Sequence, residues 1–387
     1  MNLGNTSSTE RCDRKSVPCG SLGVRSIRTG RHAFQFRVTS QNRYASFRSA
    51  GRKANKPIGV PGMGFLNVCV SHIRSLAVAS ALIAGTATGA QSAPPESTDA
   101  IKIALFDWTS VNLNAKILGG ILEKLGYTVE YPTADYLSSL STGLTNGDLT
   151  VGMEYWDTTA GEAMKASDAT KQTERLGMLG PKAKEEWWYP LYMKEKCPGL
   201  PDWHALLDPK CAEAFSTPDT APKGRYLGGP VTWEGFDDER VVSLKLPFTV
   251  IHAGTDGAMF AELDAAYQRK APIMLWVYSP HWAPAKYQGE WVQFPEYEAA
   301  CYSDPKWGVN PDAKYDCGKP HGEIWKYAWA GMKDKWPVAY KVAKAYTIDT
   351  AELNKMSGEI DLDNKKPEDV AAEWIASHES TWKAWAQ

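Results

Sequence analysis

Several common ingredients are missing from this chain. No apolar run is long enough to span a bilayer permanently, which argues against an integral helical membrane protein. No His-x-x-x-His pair, Cys/His cluster, Gly-x-Ser-x-Gly elbow or phosphate loop occurs, so the usual local signatures of metal, serine-hydrolase and nucleotide chemistry are absent. Residues 1–93 contain no Trp and only 2 Asp/Glu against 13 Lys/Arg, a net of +11. Residues 94–387 reverse the balance, with 30 Lys/Arg against 43 Asp/Glu, a net of −13. An acidic surface gives a phosphate backbone nothing to hold, so nucleic acid is not the expected partner.

All 16 Trp lie in the acidic part. The division between the parts reads as a processing boundary. A basic cluster ending near Arg74 precedes Leu76–Ala84, an apolar stretch followed by small residues to Ala93. This is the pattern of a secretory signal over 63–93, with cleavage after Ala90 or Ala93 and Met63 as the natural start. Residues 1–62 are then unexpressed or disordered. Cys69 precedes the apolar run and follows a bulky Val68, which argues against a lipid anchor.

Beyond the leader four cysteines remain, Cys197, Cys211, Cys301 and Cys317, which allow three pairings. The local one, 197–211 and 301–317, is simplest. Zinc fits less well, because 13 and 15 residues intervene and no His stands at a matching offset. A secreted chain forms disulfides.

Apolar patterning predicts alternating elements: strands over 101–106, 127–131 and 149–153 with helices over 112–125 and 136–144 between them. A second α/β unit follows, with strands over 225–228, 248–252 and 273–278 and helices over 237–244 and 255–269. Alternation implies parallel sheets with ligand sites at the carboxyl ends of strands. The segments 187–192 and 275–282 read as crossings between lobes. Lobe 1 is expected over 94–190 and 283–387, and lobe 2 over 191–282. Beyond Gly322 the spacing of Ile324, Ala328 and Met332 predicts helix, ending in one amphipathic helix over 367–385 that packs back on the first unit.

Five tryptophans, Trp108, Trp156, Trp188, Trp233 and Trp282, fall at expected strand ends or crossings, whereas Trp325, Trp329, Trp336, Trp374, Trp382 and Trp385 fall in expected helices and read as packing. Indole faces converging on one point attract a diffuse methylated cation, each contributing roughly 0.5–2 kcal/mol. Sugar sites also use aromatic platforms, but with more Asn, Asp, Arg and His donors than these loops supply. Glu154, two residues before Trp156, is expected on the same side as the indole, where it can accept from a ligand hydroxyl or a protonated N-oxide. Of Trp187 and Trp188 only one should face the cleft, and Trp188 is the choice.

The residues Asp107-Trp108-Thr109, Glu154-Tyr155-Trp156, Ser279-Pro280-His281-Trp282 and Asp369-Val370-Ala371-Ala372-Glu373-Trp374-Ile375 with Trp382, in this order, resemble the periplasmic substrate-binding proteins of glycine betaine, choline and trimethylamine N-oxide ABC importers. The likeness runs over 101–385. It implies a two-lobed type II periplasmic binding protein fold, a ligand cleft lined by aromatic rings, a monomeric periplasmic receptor and a permease partner in the inner membrane. Choline-binding relatives tend to carry a carboxylate near the first Trp, where this chain has Ser110, and no Arg stands beside the candidate site. The expected ligand is therefore trimethylamine N-oxide, then choline, then glycine betaine or dimethylsulfoniopropionate.

A secreted enzyme is the rival class, with His204, His252, His281, His321 and His378 available; a chemosensory receptor would share the cleft. No cofactor or metal is expected. Asp361-Leu362-Asp363-Asn364 hints at calcium but lacks the Gly and distal Glu of a full loop, and reads as the cap of the final helix.

Overall fold

A computed structural model describes residues 95–387. The leader, Met63, Cys12, Cys19 and Cys69 lie outside the described residues. Among the described residues no helix is long and apolar enough to cross a membrane.

The chain begins with a short parallel pair, β1 (Ile101–Lys102) and β2 (Val129–Glu130). Isolated parallel bridges from Ile103 to Val151 and from Leu105 to Thr133 extend it. The helix Thr109–Lys124 lies between the two strands, burying Leu113, Ile117 and Ile121, and the chain turns at Gly126 with φ +94°. The expected 136–144 helix begins at Tyr136, and Ser139–Leu144 is wound as π-helix.

A larger mixed sheet follows. Its strands are β3 (Val151–Trp156), β4 (Thr173–Pro190), β6 (Gly224–Gly228), β7 (Phe248–His252), β8 (Leu275–Ser279), β9 (Gly289–Trp291) and β10 (His321–Trp329), while β5 (Pro198–Pro201) lies outside it. The order is β3-β10-β4-β8-β6-β7, with β9 on the far half of β4. The expected parallel pairing holds for β6 with β7 and β8, whereas β10 runs antiparallel to β3 and β4, and β4 antiparallel to β8.

Two elements depart from the sequence reading. The segment after Gly322 is strand β10, not helix, so Trp325 and Trp329 are strand residues. Ile324, Lys326 and Ala328 are buried on one face of the strand, and because the middle residue is a lysine the apolar spacing reads as four, which strand and helix share. The second is β4, whose 18 residues pair first with β10 up to Lys184 and then with β8 from Lys184. Gly177 and Gly180 hide it in the sequence. Gly180, at φ +128°, passes so close to Ile348 that a Cβ would lie 2.5 Å from its carbonyl oxygen.

The C-terminal segment is two helices, Pro367–Ser377 and Glu379–Trp385, parted at His378. Ile375 of the first packs on Gly120 of the Thr109–Lys124 helix. Asp361 ends the helix Thr350–Asp361 instead of capping the next one, whose N-cap is Lys366. The buried Lys326 of β10 donates to the carbonyls of Ala343 and Lys344 at 2.9 and 3.0 Å and also to that of Tyr346. An ammonium there satisfies the free carbonyls at the end of the Pro337–Ala345 helix.

Disulfides join Cys197 to Cys211 and Cys301 to Cys317. The second closes a loop fastened to β4 by buried charges. Arg240 Nη1 meets Glu186 at 2.7 Å and its Nε donates to the Cys317 carbonyl at 2.9 Å. The backbone N–H of Lys319 donates to Glu186 at 2.8 Å, and the Lys319 ammonium lies 3.2 Å from Asp237.

Candidate functional site

Where these strands end, seven residues line a small, nearly closed-up cavity: Trp108, Tyr136, Trp156, Thr159, Glu185, Trp233 and Tyr278. Each ring arrives by a local device. The side chain of Asn112 accepts from the Phe106 N–H and donates to the Phe106 carbonyl, at 3.0 and 2.9 Å, fixing the turn that carries Trp108. Trp156 is the last residue of β3, and Tyr136 opens its helix behind the Asp135 cap. Trp233 ends the short 3₁₀ turn Val231–Trp233 that follows β6, and Tyr278 lies on β8.

The five rings meet edge to face in sequence. Tyr136 and Trp108 are 5.1 Å apart at 89°, Trp108 and Trp233 5.9 Å at 79°, Trp233 and Tyr278 5.9 Å at 79°, and Tyr278 and Trp156 5.4 Å at 86°. The Trp156 N–H closes the circuit by donating to the Tyr136 hydroxyl at 2.9 Å. Perpendicular neighbours form walls, so several ring faces can look into one space.

The indole nitrogens are tied behind those walls. Trp108 Nε1 donates to Glu154 at 2.8 Å, Trp156 Nε1 to the same oxygen at 3.3 Å, and Trp233 Nε1 to Asp107 at 3.2 Å. Glu154 also accepts from Ser110 Oγ at 3.0 Å and Asn114 Nδ2 at 2.7 Å. Wholly buried and holding four donors, Glu154 does not line the cavity. Burial raises its pKa and the four donors oppose that rise. Its neighbour Ser110 stands where a second carboxylate was sought, and it serves Glu154.

The acid that does line the cavity is Glu185 of β4. Its Oε2 is buried without a hydrogen-bond partner, and burial pushes the carboxyl up to about 7. Glu185 also borders a broader groove lined by Lys184, Trp291, Lys319 and His321 among others. That groove carries charges of both signs beside Trp291, Phe294 and Tyr297, whereas rings make up five of the aromatic cavity's seven residues, so the aromatic cavity is the candidate site.

Trp188, Trp187 and Trp282 lie away from the cavity. Trp187 stacks on Tyr226 at 3.8 Å and donates to Asp237, while Trp188 covers Gly289, where a Cβ would lie 1.8 Å from its ring. Trp282 donates to Asp361 at 2.7 Å. Sequence reasoning missed Tyr136, Tyr278, Thr159 and Glu185. Two of them left a trace: Tyr278 lies within the expected 275–282 crossing, and Glu185 stands two residues before the 187–192 crossing, in the run Glu185-Glu186-Trp187-Trp188.

Residues 99–377 match the protein-family model described as the substrate binding domain of ABC-type glycine betaine transport systems. The chain is 31% identical over 318 residues to the trimethylamine N-oxide-binding protein of Pelagibacter ubique, covering 81% of this chain and 97% of that protein. It is 25% identical over 296 residues to the glycine betaine/proline betaine-binding periplasmic protein of Escherichia coli, covering 72% and 86%. Among solved structures it resembles an ABC-transporter choline binding protein in complex with choline, with a TM-score of 0.58 at 19% identity over 75% of this chain and 92% of the other. Lactococcal OpuAC complexed with glycine betaine gives 0.56 at 18% identity, covering 75% and 100%. These neighbours share the type II periplasmic binding protein fold.

Proposed function

Because this chain belongs to the substrate-binding domains of ABC-type glycine betaine transport systems, we propose that it is the periplasmic receptor of an importer for a methylated ammonium osmolyte, trimethylamine N-oxide first among them. The observation that carries the reading is the cavity of five rings, each edge to face with the next, with one unpartnered carboxyl oxygen. Ring faces attract N-methyl groups carrying a spread positive charge, and the carboxylates tied to the indole N–H groups add negative potential behind them. Four or five such contacts supply the roughly 8 kcal/mol of a micromolar ligand. The lobes, 94–190 with 283–387 against 191–282, would close on it and present it to a permease.

The polar groups rank the candidates. Glycine betaine brings a carboxylate, and no cationic side chain is among the cavity's seven residues, while Glu185 would repel it. Trimethylamine N-oxide brings only an acceptor oxygen. The Tyr136 hydroxyl, which accepts from Trp156, retains its proton to give, and a protonated Glu185 offers another. Choline brings a hydroxyl donor and is favoured by ionised Glu185. It is the second reading, supported by the free Glu185 oxygen.

The test is a titration with trimethylamine N-oxide, choline, glycine betaine and dimethylsulfoniopropionate, followed by tryptophan fluorescence. Saturable micromolar binding, tightest for trimethylamine N-oxide at pH 6, is expected. As pH rises through about 7 the protonated fraction of Glu185 falls, so affinity for the N-oxide should fall and affinity for choline rise. Glu185→Gln, which keeps a donor but no charge, should bind the N-oxide without that pH dependence and weaken choline. No response to any of the four ligands would end the reading; an unchanged pH profile in Glu185→Gln would end the role of Glu185.

The same substitution affects stability. A folded pKa of about 7 against the ordinary 4.5 of a glutamate means that the native protein holds the proton more tightly between those values, so stability declines as pH rises from 4.5 to 7. Glu185→Gln should stabilise the ligand-free protein at pH 8, by up to about 3 kcal/mol, and leave it unchanged at pH 4.

A further inference from the structure

Beside the aromatic cavity three groups from separate parts of the chain converge. Asp256 begins the Asp256–Arg269 helix, His281 is the N-cap of the Trp282–Lys286 helix, and Asp361 ends the Thr350–Asp361 helix. One donor atom from each lies within 4.8 Å of the other two. Asp256 and His281 are each 3% exposed, while Asp361 reaches solvent along a groove that also contains Asp264, Trp282 and Lys286.

The second observation is independent of the acids. His281 Nδ1 accepts the Ala283 N–H at 3.1 Å, whereas its Nε2 is buried with no hydrogen-bond partner. Phe260 stacks on the ring at 3.8 Å and Tyr278 packs at 4.7 Å, so the orientation that strands Nε2 is held by its surroundings. An unpaired buried ring nitrogen is unfavourable unless something occupies the space before it.

We propose that Asp256, His281 and Asp361 bind one divalent cation of the zinc class. Imidazole nitrogen with carboxylate oxygen suits zinc and its transition-metal neighbours, whereas calcium and magnesium favour oxygen throughout. Ligands around one zinc ion stand closer than 4.8 Å, so the three side chains draw in by on the order of 1 Å when the ion binds. The ring gives its Nε2 lone pair to the metal and carries its proton on Nδ1, exchanging the Ala283 contact for a metal–nitrogen bond. The remaining places go to water from the groove.

Both carboxylates already have the outer hydrogen bonds that orient metal ligands. Tyr278 donates to Asp256 at 2.9 Å, and Thr109 and Trp282 donate to Asp361 at 2.6 and 2.7 Å. Tyr278 is a wall of the aromatic cavity, and Thr109 follows Trp108, another wall. The ion would brace the two sides of that cavity.

The experiment is calorimetric titration of the metal-stripped protein with Zn2+, without osmolyte, and with Co2+ followed by visible absorption. We expect about one Zn2+ per chain, ligand-field bands with Co2+, and no competition from millimolar Ca2+. His281→Asn keeps a cap acceptor for Ala283 but removes Nε2, and Asp361→Asn removes one charge at the solvent edge. Each should weaken Zn2+ by at least about tenfold while circular dichroism of the metal-free protein is unchanged. Absence of Zn2+ uptake by the wild type, or equal uptake by both variants, overturns the site. Competition by Ca2+ overturns the metal class. If His281→Asn does not fold, Asp361→Asn and the Co2+ spectrum decide in the same way. None of these readouts depends on osmolyte binding.

Discussion

Replacing Glu154 with alanine is expected to lower the stability of the ligand-free protein by about 3 kcal/mol or more and to abolish osmolyte binding at the same time. The carboxylate holds Trp108 Nε1, Trp156 Nε1, Ser110 Oγ and Asn114 Nδ2 in a fully buried space. Each donor stranded without an acceptor costs roughly 1–3 kcal/mol, and an admitted water would recover part of that total. Two cavity walls would lose their orientation together, because both indoles share one oxygen. Thermal unfolding without ligand, beside fluorescence titration, separates this role from direct contact. If Glu154 instead touched the ligand, Glu154→Ala would lose binding and keep its unfolding temperature.

Arg240→Met should cost about 3–5 kcal/mol in urea unfolding. Arg240 is 1% exposed and neutralises Glu186 at 2.7 Å while lying 3.5 Å from Asp237. Removing the guanidinium leaves buried carboxylates with only Lys319 to balance them and frees the Cys317 carbonyl. The double substitution Arg240→Met with Glu186→Gln should recover much of the loss, since a buried pair replaced on both sides is often nearly neutral. A single-variant loss below about 1 kcal/mol would show that the cluster does not hold the 301–317 loop to β4. Glu185 directly precedes Glu186 in the chain, so the brace sets the strand on which the cavity's acid stands.

Local physics made much of the architecture readable. The strands at 225–228 and 248–252 and the helices at 237–244 and 255–269 lie within two residues of their expected bounds, because each is short, bounded by turn residues and buried on a regular period. Trp108, Trp156 and Trp233 were legible as a group from their position after strands, and the structure places all three around one cavity. Tyr136 and Tyr278 were not, since a tyrosine on a strand or at a helix start usually packs, and only its neighbours turn it into a wall.

The failures have equally specific causes. A buried Lys326 between Ile324 and Ala328 left β10 with an apolar spacing that a helix shares, and glycines with a positive φ concealed the length of β4. Glu154 was placed correctly on its strand, but its role depends on Ser110 and Asn114, 44 and 40 residues away in the chain. Strand geometry says to which side a carboxyl points. It does not say how many donors already wait there.

The sequence by itself determined the cysteine set, the alternating α/β elements and a surplus of indoles at strand ends, because each follows from composition or from contacts a few residues apart. Only the tertiary structure decided which acid faces the cavity, which indoles leave it, and that Asp256, His281 and Asp361 meet. Those outcomes rest on burial and on long-range hydrogen bonds, whose strength depends on the removal of water by elements far away in the chain.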